Sequence, residues 1–549
     1  MKTSARQTII VGGVAGGMSA ATRLRRLDPD ASIIILEKSS FVSYANCGLP
    51  YYIGGIISNR DDLLLQTPES LHARFALDVR VRSEVTSLDR DRKVVRVRDL
   101  MLNQEYELDY DELVLSPGAQ AVVPPIPGVD RALTLRTVED VTRIVDAVEA
   151  QPRHAVVIGG GFIGLETAEN LRHRGIETTI VEALGQVLAP LDPEMAIPVA
   201  HEVRKHGVHL HLGVAVGAIH EKQVELADGT LIDADLVILA IGVRPDIGLA
   251  KMAGLEIGPR GGISTNLNNQ TSDLSIYAIG DAAEKIDALD GEASLVPLAN
   301  IANRQGRVVA DHIMGREVRE VTAIGTAIVK VFDRTVATTG WNEKRLNQAD
   351  REYLAIHTHP GSHTGYYPGA KTMALKILVD PTSHLILGAQ GVGREGVDKR
   401  IDVIATAIRG GLRAEELADL ELAYAPPFGS AKDPINMLGY MAENLVSGLT
   451  ETIQWDEIGD RVAGGVALVD VRTKEEFVRG HIPSALNISV DELRERLSEI
   501  PRKEIVLYCQ VGQRAHTATL FLREHGFSAV NLDGGYQTWV HSPAAHATR

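Results

Sequence analysis

The chain of 549 residues contains two cysteines, Cys47 and Cys509, and each lies in a segment that could do thiol chemistry. A thiolate attacks sulfur–sulfur bonds, and its reactivity depends on how its surroundings shift the pKa of the thiol. Two thiols exclude a disulfide framework and a zinc site built from four cysteines. The alternative for either residue is a packed, unreactive cysteine, which is the usual fate of a free thiol.

Cys47 lies in residues 43–51, which read SYANCGLPY. Glycine and proline follow the cysteine, and the polar residues Ser43 and Asn46 precede it, which suits a turn better than the interior of a strand. A helix start or a nearby cation could lower the pKa of the thiol there. Because no second cysteine lies nearby, Cys47 must form a mixed disulfide, a persulfide or a sulfenate rather than an internal disulfide.

The glycine loop at residues 159–164, named here the Gly159 loop, follows an apolar strand and opens a helix. Gly159, Gly161 and Gly164 satisfy the GxGxxG spacing, which lets backbone amides approach a pyrophosphate at the start of a helix. Glu182 ends the next strand, where a carboxylate accepts hydrogen bonds from a ribose 2′-OH and repels a 2′-phosphate. No basic residue follows directly, so we expect NADH in preference to NADPH.

A second glycine loop, at residues 12–17 and named the Gly12 loop, departs from that spacing because Val14 replaces the middle glycine. Glu37 ends the strand after it and could hold an adenosine ribose. Two loops that each lead to a strand-ending glutamate predict two dinucleotide sites; the alternatives are structural turns or one decayed copy. The candidate residues of this loop are Gly12, Gly13, Val14, Ala15, Gly16 and Gly17.

Cys509 ends the apolar strand IVLYC and opens a loop that runs to Ala515, before a predicted helix. The amides of such a loop can point at the cysteine sulfur, and the start of the helix favours an anion there. Arg514 adds positive charge. This arrangement is suited to a sulfur that carries negative charge, while a packed cysteine remains the alternative.

Composition limits the possible classes of protein. The formal net charge is −16, which argues against non-specific binding of nucleic acid. No run of about 18 uncharged apolar residues predicts a membrane span. The apolar residues 8–11 lead directly into glycines, so a first strand explains them better than a signal peptide, and we expect a cytoplasmic protein. No motif indicates a bound metal.

The paired glycine loops, together with LVLSPGA (113–119) and SIYAIGDAAE (275–284), resemble the FAD- and NAD-dependent disulfide oxidoreductase superfamily. Common members carry two cysteines in the segment that here holds Cys47 alone. The single-cysteine segment SYANCGLPY resembles coenzyme A-disulfide reductases and their relatives, the NADH-dependent persulfide reductases and the NADH oxidases or peroxidases. The resemblance spans residues 7–445.

The resemblance implies FAD and NADH as cofactors and names further residues that would contact them. Asp281 is expected to contact the FAD ribityl chain. The other cofactor residues implied are Lys38, Ser43, Asn46, Pro117, Gly118, Gly242, Gly280 and Ala299.

A coenzyme A site is also implied by this resemblance. Its residues would be Ser19, Arg23, Arg26, Ser43 and Asn46, with Asn303 and Arg307 on a later helix. The alternative for the arginines is a solvated basic helix face.

Tyr366, Tyr367 and Tyr424 resemble tyrosines that reach the partner subunit's active site in a homodimer. A phenol there could donate to a leaving thiolate. Without the resemblance these tyrosines would be read as interface packing, and the choice between Tyr366 and Tyr367 is open.

The segment from about residue 455 to 540 resembles a rhodanese domain. Its loop at Cys509 is accompanied by LVDVR (468–472), GHIPSA (480–485) and DGGY (533–536), with Trp539 after them. In that family the cysteine carries sulfane sulfur as a persulfide. Asp470, Arg472 and His481 are expected to hold the loop rather than to do chemistry.

We therefore predict an α/β protein with two Rossmann-like dinucleotide-binding domains, an α+β dimerisation domain and a C-terminal rhodanese-like α/β domain. The FAD-binding domain is expected at residues 1–115 and 245–322, and the NAD-binding domain at 116–244. The dimerisation domain is expected at 323–446 and the rhodanese-like domain at 452–549.

The predicted activity is NADH-dependent reduction, through FAD, of a sulfur–sulfur bond in coenzyme A persulfide, polysulfide or coenzyme A disulfide. Hydride passes from NADH to FAD, Cys47 forms a mixed disulfide with coenzyme A, and Cys509 carries sulfane sulfur. One alternative is an NADH oxidase or peroxidase in which Cys47 cycles through a sulfenate. A redox-sensing module without turnover is a second alternative.

Overall fold

The computed structural model of the protein describes residues 6–547. It divides into two compact units. One contains the described residues up to Gly185 together with Gly207–Gly325, and the other contains Gln186–His206 and the chain from Thr326 onward. Among the described residues, no helix is both long enough and apolar enough to cross a membrane.

The first unit begins with a strand–loop–helix–strand arrangement followed by an antiparallel three-stranded sheet. Its elements up to residue 115 are β1 (Gln7–Val11), α1 (Ala15–Leu27), β2 (Ser32–Leu36), α2 (Leu49–Ile53), α3 (Pro68–Phe75), β3 (Asp78–Arg80), β4 (Ser83–Asp89), β5 (Val94–Asp99), β6 (Gln104–Asp109) and β7 (Glu112–Leu115).

The same arrangement recurs in the next segment of the chain. Its elements are β8 (Ala119–Ala121), β9 (Leu133–Thr134), α4 (Val138–Glu149), β10 (His154–Ile158), α5 (Phe162–His173), β11 (Glu177–Glu182), α6 (Pro193–Lys205), β12 (Val208–Leu212), β13 (Val216–Ile219), β14 (Gln223–Leu226), β15 (Leu231–Asp233), β16 (Leu236–Leu239), β17 (Val243–Pro245) and α7 (Gly248–Met252).

The first unit ends with a return to the first sheet and a long helix. The elements are β18 (Ile276–Ala278), β19 (Lys285–Asp287), β20 (Ala293–Ser294), α8 (Ala299–Ile313) and β21 (Thr322–Ala323).

Two parallel five-stranded sheets organise the first unit, in the orders β18-β7-β1-β2-β3 and β12-β11-β10-β16-β9. In each sheet, the strand before a glycine loop lies at the centre. β1 pairs with β2, which leads to Glu37, and with β7; β10 pairs with β11, which ends at Glu182, and with β16. The middle residues of the central strands are buried because both faces are covered, which explains their apolar sequences. Both glycine loops therefore lie at the carboxyl ends of parallel strands, where nucleotides bind in such sheets.

The second unit contains α6 and two further sheets. The elements of its first part are β22 (Ala327–Val331), β23 (Arg334–Gly340), α9 (Glu343–Gln348), β24 (Leu354–Thr358), β25 (Met373–Val379), β26 (Ile386–Gly393), α10 (Val397–Gly410) and α11 (Pro434–Val446). They form an antiparallel sheet in the order β22-β23-β26-β25-β24, with α10 and α11 packed on an apolar core.

The last part of the second unit is a parallel sheet in the order β27-β31-β30-β28-β29. Its elements are β27 (Thr452–Ile453), α12 (Ile458–Ala463), β28 (Ala467–Asp470), α13 (Lys474–Arg479), β29 (Leu486–Asn487), β30 (Ile505–Tyr508), α14 (Gln513–Glu524), β31 (Ala529–Leu532), α15 (Gly535–Val540) and α16 (Pro543–Ala547). Separate apolar cores fill its two faces. The α/β architecture predicted from the sequence is confirmed.

Helices α1 and α8 cross at close range, and a glycine makes this possible. A Cβ atom added at Gly306 would overlap the carbonyl oxygen of Gly16 and lie 2.9 Å from the amide nitrogen of Ala20. Since these atoms belong to a helix backbone, they cannot move aside as a flexible side chain could. Gly306 thus sets the position of α8 against the helix that begins in the Gly12 loop.

Gly306→Ala should therefore force α8 away from α1 and destabilise the protein by about 1–3 kcal/mol, the usual cost of overpacking. We also expect a lower FAD content after purification, because Gly16 lies in the Gly12 loop. The matched control is Gly459→Ala in α12, where an added Cβ would meet nothing within 4 Å. Thermal unfolding and the flavin-to-protein absorbance ratio measure both effects, and equal behaviour of the two variants would contradict this account of Gly306.

Candidate active site

The Gly12 loop is bonded to the carboxylate of Glu37, which follows β2. The Gly13 amide donates to Glu37 Oε2 at 2.8 Å, and the Ser39 amide donates to Oε1 at 2.8 Å. Gly12 has a φ of +100°, and a Cβ there would overlap the carbonyl oxygen of Ser116. Only glycine fits that position. Glu37 is 8% exposed, so its carboxylate is fixed at the end of β2.

The Gly159 loop repeats this geometry. The Gly160 amide donates to Glu182 Oε2 at 2.6 Å, and the Leu184 amide donates to Oε1 at 2.8 Å. Gly159 has a φ of +113°, and a Cβ at Gly164 would overlap the carbonyl oxygen of Gly159. A Cβ at Gly161 would meet nothing within 4 Å, so this position opens onto free space.

The residues of both loops have the geometry that a dinucleotide needs. Each loop places amides at the start of a long helix, α1 or α5, and each ends at a carboxylate whose second lone pairs can accept from a ribose. Gly161 leaves room for a pyrophosphate. The fit supports FAD at the Gly12 loop and a nicotinamide dinucleotide at the Gly159 loop.

The turn that contains Gly280 and Asp281 lies at the end of β18, in the same sheet as the Gly12 loop. The Gly280 amide donates to Gln305 Oε1 at 2.9 Å, and the Asp281 carboxylate lies 3.5 Å from the Arg136 guanidinium. The Lys285 ammonium, buried beneath the turn, donates to the carbonyls of Gly280 and Ala283. Burial lowers the pKa of Lys285 to about 8, with Asp281 acting in the opposite direction.

The remaining predicted cofactor residues occupy loops or helix starts of the first unit. Gly118 and Gly242 have φ of +76° and +109°, and Ala299 begins α8. Lys38 is mostly exposed and lies 3.6 Å from Asp246. Pro117 follows Ser116, whose carbonyl oxygen is the one that excludes a Cβ at Gly12.

Cys47 lies in a single turn of 3₁₀ helix, Asn46–Gly48, which leads into α2. Its side chain is accessible from solvent. Burial of part of the thiol raises its pKa, and the carboxylates of Glu166 and Asp281 raise it further. The protein's own charges therefore oppose the thiolate. The sequence alone does not determine whether the pKa of the Cys47 thiol is raised or lowered.

Glu166 is a residue near Cys47 that sequence reasoning missed. It lies in the first turns of α5, three residues after Ile163, and Tyr51 Oη donates to its Oε1 at 3.1 Å. Burial raises the pKa of Glu166 to about 7, although the bond from Tyr51 acts in the opposite direction. The pattern of an acidic residue within a buried helix face is a weak signal, because only the fold brings α5 beside α2.

Some of the residues predicted to bind coenzyme A are neighbours on the adjoining surfaces of α1 and α8. Ser19 Oγ donates to Asn303 Oδ1 at 2.7 Å. Arg23 is already paired with Asp311, at 2.6 Å, whereas Arg307 is exposed and lies 3.9 Å from that carboxylate.

Three further residues are predicted to bind coenzyme A: Arg26, Ser43 and Asn46. The guanidinium of Arg26 lies over the Phe75 ring, 5.4 Å from its centroid. Ser43 has a φ of +49°, and its amide donates to the carbonyl of Gly13 at 2.8 Å, which ties the Cys47 segment to the Gly12 loop. Asn46 begins the turn that contains Cys47.

In the second unit, two of the three predicted tyrosines meet. The hydroxyls of Tyr366 and Tyr424 are 2.9 Å apart, although 58 residues separate them in the chain, and both side chains are exposed. Tyr367 instead packs edge-on against His363, with 5.4 Å between ring centroids. The geometry thus singles out Tyr366 as the partner of Tyr424.

Cys509 is fully buried at the end of β30. The Arg514 guanidinium is held by both oxygens of Glu476, at 2.7 Å each, and these bonds, followed by the nearby Cys509, raise the pKa of Arg514. Arg472 is paired with Asp470 at 2.7 Å and donates to Gln510 Oε1 at 3.0 Å. Both arginines near the loop are therefore neutralised by carboxylates. The Nδ1 of His481 donates to the carbonyl of Phe477 at 3.0 Å.

Comparison with known proteins agrees with this architecture. The family model "Pyridine nucleotide-disulphide oxidoreductase" matches residues 6–325, the dimerisation-domain model of that family matches 326–433, and the rhodanese-like domain model matches 455–542.

Solved structures and curated relatives extend the comparison. Reduced CoADR-RHD from Bacillus anthracis is 48% identical, with a TM-score of 0.97 over 98% of this chain and 99% of its own. A NAD-dependent persulfide reductase from A. fulgidus is 38% identical, with a TM-score of 0.91 over 97% of this chain and 100% of its own. Coenzyme A disulfide reductase of Staphylococcus aureus is 36% identical over 438 residues, which are 79% of this chain and 99% of the relative.

The electrostatic role of Glu166 can be tested directly. Because its carboxylate raises the pKa of the Cys47 thiol, Glu166→Gln should lower that pKa and increase the rate of alkylation of Cys47 by iodoacetamide near pH 8. Mass spectrometry of the peptide that contains Cys47 separates this reaction from that of Cys509. Glu169→Gln on the same helix is the control, since Glu169 does not contribute to the shift of Cys47. An unchanged titration of Cys47 in Glu166→Gln would rule out this influence.

Proposed function

This chain belongs to the pyridine nucleotide-disulphide oxidoreductase family, and from that premise we propose that it uses NADH to reduce the sulfur–sulfur bond of coenzyme A persulfide, polysulfide or coenzyme A disulfide. It is an NAD(P)H-dependent flavoprotein reductase that acts on disulfide or persulfide bonds. The observation that carries the proposal is Cys47: an accessible thiol in the turn before α2, with no second cysteine in the same unit.

Cys47 is the nucleophile in this proposal. Its thiolate attacks coenzyme A's own sulfur atom, expels hydrosulfide from the persulfide or coenzyme A thiolate from the disulfide, and leaves a mixed disulfide between Cys47 and coenzyme A. Two electrons and one proton then return Cys47 to the thiolate and release coenzyme A. The Gly12 loop and Glu37 would hold FAD, which would supply those electrons, and NADH held at the Gly159 loop would supply the hydride.

The chain's residues divide the remaining tasks. The Gly12 loop with Glu37 would hold FAD, and the Gly159 loop with Glu182 would hold NADH. Glu182, with exposed Leu184 after it and no adjacent cation, supports NADH over NADPH. Glu166, which titrates near neutral pH, can hold a proton beside Cys47.

The surface formed by α1 and α8 is the proposed coenzyme A site. Arg307 is an exposed cation there, and Ser19 and Asn303 add polar groups, whereas the exposed Arg26 lies near the C-terminal end of α1 with its guanidinium over Phe75. Coenzyme A carries phosphates that such cations attract. Arg23 would contribute only in competition with Asp311, to which it is already bonded.

We further propose a homodimer in which Tyr366 and Tyr424 act at the partner's Cys47. The match to a dimerisation domain supports the dimer. The bonded pair of exposed phenols could stabilise a leaving thiolate, because one hydroxyl donates to the other and frees the second proton for the substrate.

The decisive experiment is anaerobic turnover of the purified holoenzyme. NADH and NADPH are compared with coenzyme A disulfide, coenzyme A persulfide and polysulfide, and sulfide and free thiol are quantified. In a parallel aerobic assay without a sulfur substrate, NADH-dependent consumption of oxygen, together with no sulfur turnover in the anaerobic assay, would instead favour the oxidase or peroxidase alternative. Absence of any turnover would favour a redox-sensing module.

Cys47→Ser should abolish reduction of every sulfur substrate, by at least about 10³-fold, because a hydroxyl is not ionised near neutral pH. Its flavin absorbance should match that of the unmodified protein, which serves as the control for folding. Measured release of sulfide or coenzyme A at the normal rate by this variant would reject the proposed mechanism.

Tyr366→Phe and Tyr424→Phe should each lower kcat with coenzyme A disulfide by about tenfold to a thousandfold, the usual loss on removing one donor to a developing anion. The double variant should lose little more than either single variant, because the two phenols act as one bonded pair. Tyr367→Phe is the matched control and should retain nearly full activity. A greater loss in Tyr367→Phe than in Tyr366→Phe would reverse the assignment.

A further inference from the structure

The loop of Cys509 rests on a short segment that follows β31. The Tyr536 amide donates to the carbonyl of Cys509 at 2.8 Å, and the Gln537 amide donates to the carbonyl of Gln510 at 2.9 Å. A Cβ at Gly535, whose φ is +61°, would lie 2.5 Å from that same Cys509 carbonyl. The position of residues 533–537 therefore fixes the position of the loop at residues 509–515, named here the sulfur loop.

This supporting segment is held from outside the rhodanese-like domain. His357, on β24, donates to Asp533 Oδ2 from its backbone amide at 2.9 Å and from its Nδ1 at 2.6 Å. Both side chains are almost completely buried. Nearby, His359 Nε2 and Thr538 Oγ1 are 2.7 Å apart, and Gly534 packs so closely that an added Cβ would lie 2.8 Å from His357 Cβ.

A chain of buried charges extends from His357 to α6. His357 Nε2 donates to Glu194 Oε1 at 3.0 Å, and the same oxygen accepts from Lys376 Nζ at 2.6 Å. Lys376 also lies 2.8 Å from Asp192 and 2.7 Å from Glu343. These three carboxylates have ligand-like spacing, but the ammonium of Lys376 already contacts each of them.

The two carboxylates bonded to His357, those of Asp533 and Glu194, favour the protonated form of its imidazole. Burial alone would lower the pKa of His357, but its hydrogen bonds with Asp533 and Glu194 outweigh burial and raise the pKa to about 9. The Lys376 charge acts against this rise. A protonated imidazole donates from both nitrogens, as the two bonds to carboxylates require.

We propose that His357 is a positioning residue for Cys509: by binding Asp533 it fixes the segment on which the sulfur loop rests, so sulfur transfer depends on a side chain of the dimerisation domain. The inference rests on the proposed role of Cys509 as a sulfur carrier. In that role Cys509 thiolate takes one sulfur from polysulfide to become Cys–S–S⁻ and leaves polysulfide one sulfur shorter. Coenzyme A thiolate then takes that sulfur, which restores the Cys509 thiolate without net oxidation or reduction.

Two substitutions separate positioning from general stability. In His357→Asn the amide nitrogen replaces Nδ1, so the bond to Asp533 is kept while that to Glu194 is lost. In His357→Gln the amide nitrogen replaces Nε2, so the bond to Glu194 is kept while the side-chain bond to Asp533 is lost. Both remove one buried charge and one charged hydrogen bond, and we expect similar losses of thermal stability.

The assay uses full-length protein in a Cys47→Ser background, without NADH, and measures coenzyme A persulfide formed from polysulfide and coenzyme A by alkylation and mass spectrometry. His357→Gln should lower the Cys509-dependent rate by about tenfold, the effect of leaving a buried carboxylate without one donor. His357→Asn should retain most of the rate. His384→Gln, which breaks a histidine–carboxylate pair with Glu415 in the same domain, should leave the rate unchanged.

Cys509→Ser supplies the reference that distinguishes two failures. If Cys509→Ser transfers sulfur as fast as the parent protein, the carrier role fails and the positioning role fails with it. If transfer depends on Cys509 but His357→Gln leaves it unaltered, or if His357→Asn and His357→Gln lose it equally, the carrier role stands and the positioning role of His357 is overturned.

Discussion

The hydrogen bond between a loop amide and a strand-ending carboxylate is the constraint on which both nucleotide sites depend. Gly13 binds Glu37, and Gly160 binds Glu182, in the same geometry at the carboxyl edges of two parallel sheets. The bond holds the carboxylate at the position proposed to accept hydrogen bonds from a ribose, and it orients the loop at the helix start. It forms only if the backbone takes conformations open to glycine, so the glycines and glutamates are one structural requirement rather than two motifs.

That arrangement also places Cys47 in an electrostatic environment that the protein alone makes unfavourable for a thiolate. The amide of Ser43 is bonded to the Gly12 loop, which fixes the Cys47 segment, while α5 brings Glu166 and the turn after β18 brings Asp281. Partial burial and these two carboxylates raise the pKa of the Cys47 thiol, so positive charge brought to this site would lower the pKa and increase the reactivity of Cys47.

The fold was predictable from the sequence because its signals are local. Apolar strands, glycine spacing and a strand-ending glutamate each lie within about 30 residues, the length of one βαβ unit. Other contacts join distant residues: Tyr366 and Tyr424 are 58 positions apart, Tyr51 and Glu166 are 115 apart, and His357 and Asp533 are 176 apart. No periodicity in the sequence indicates such contacts. The same holds for residues 186–206, which follow the Gly159 loop in sequence but pack within the second unit.

The two cysteines are held by opposite physical means. Cys47 is accessible and lies near two carboxylates, whereas Cys509 is buried and the two arginines near its loop, Arg472 and Arg514, are each paired with a carboxylate. Buried ion pairs contribute little net stability, because desolvation offsets their attraction, but they specify geometry strictly since any unpaired member is costly. The cluster of Lys376, His357 and their carboxylates joins α6, the antiparallel sheet and the sulfur loop in this manner. A shifted packing of the rhodanese-like domain would leave members of this cluster unpaired, which would be costly because they are buried.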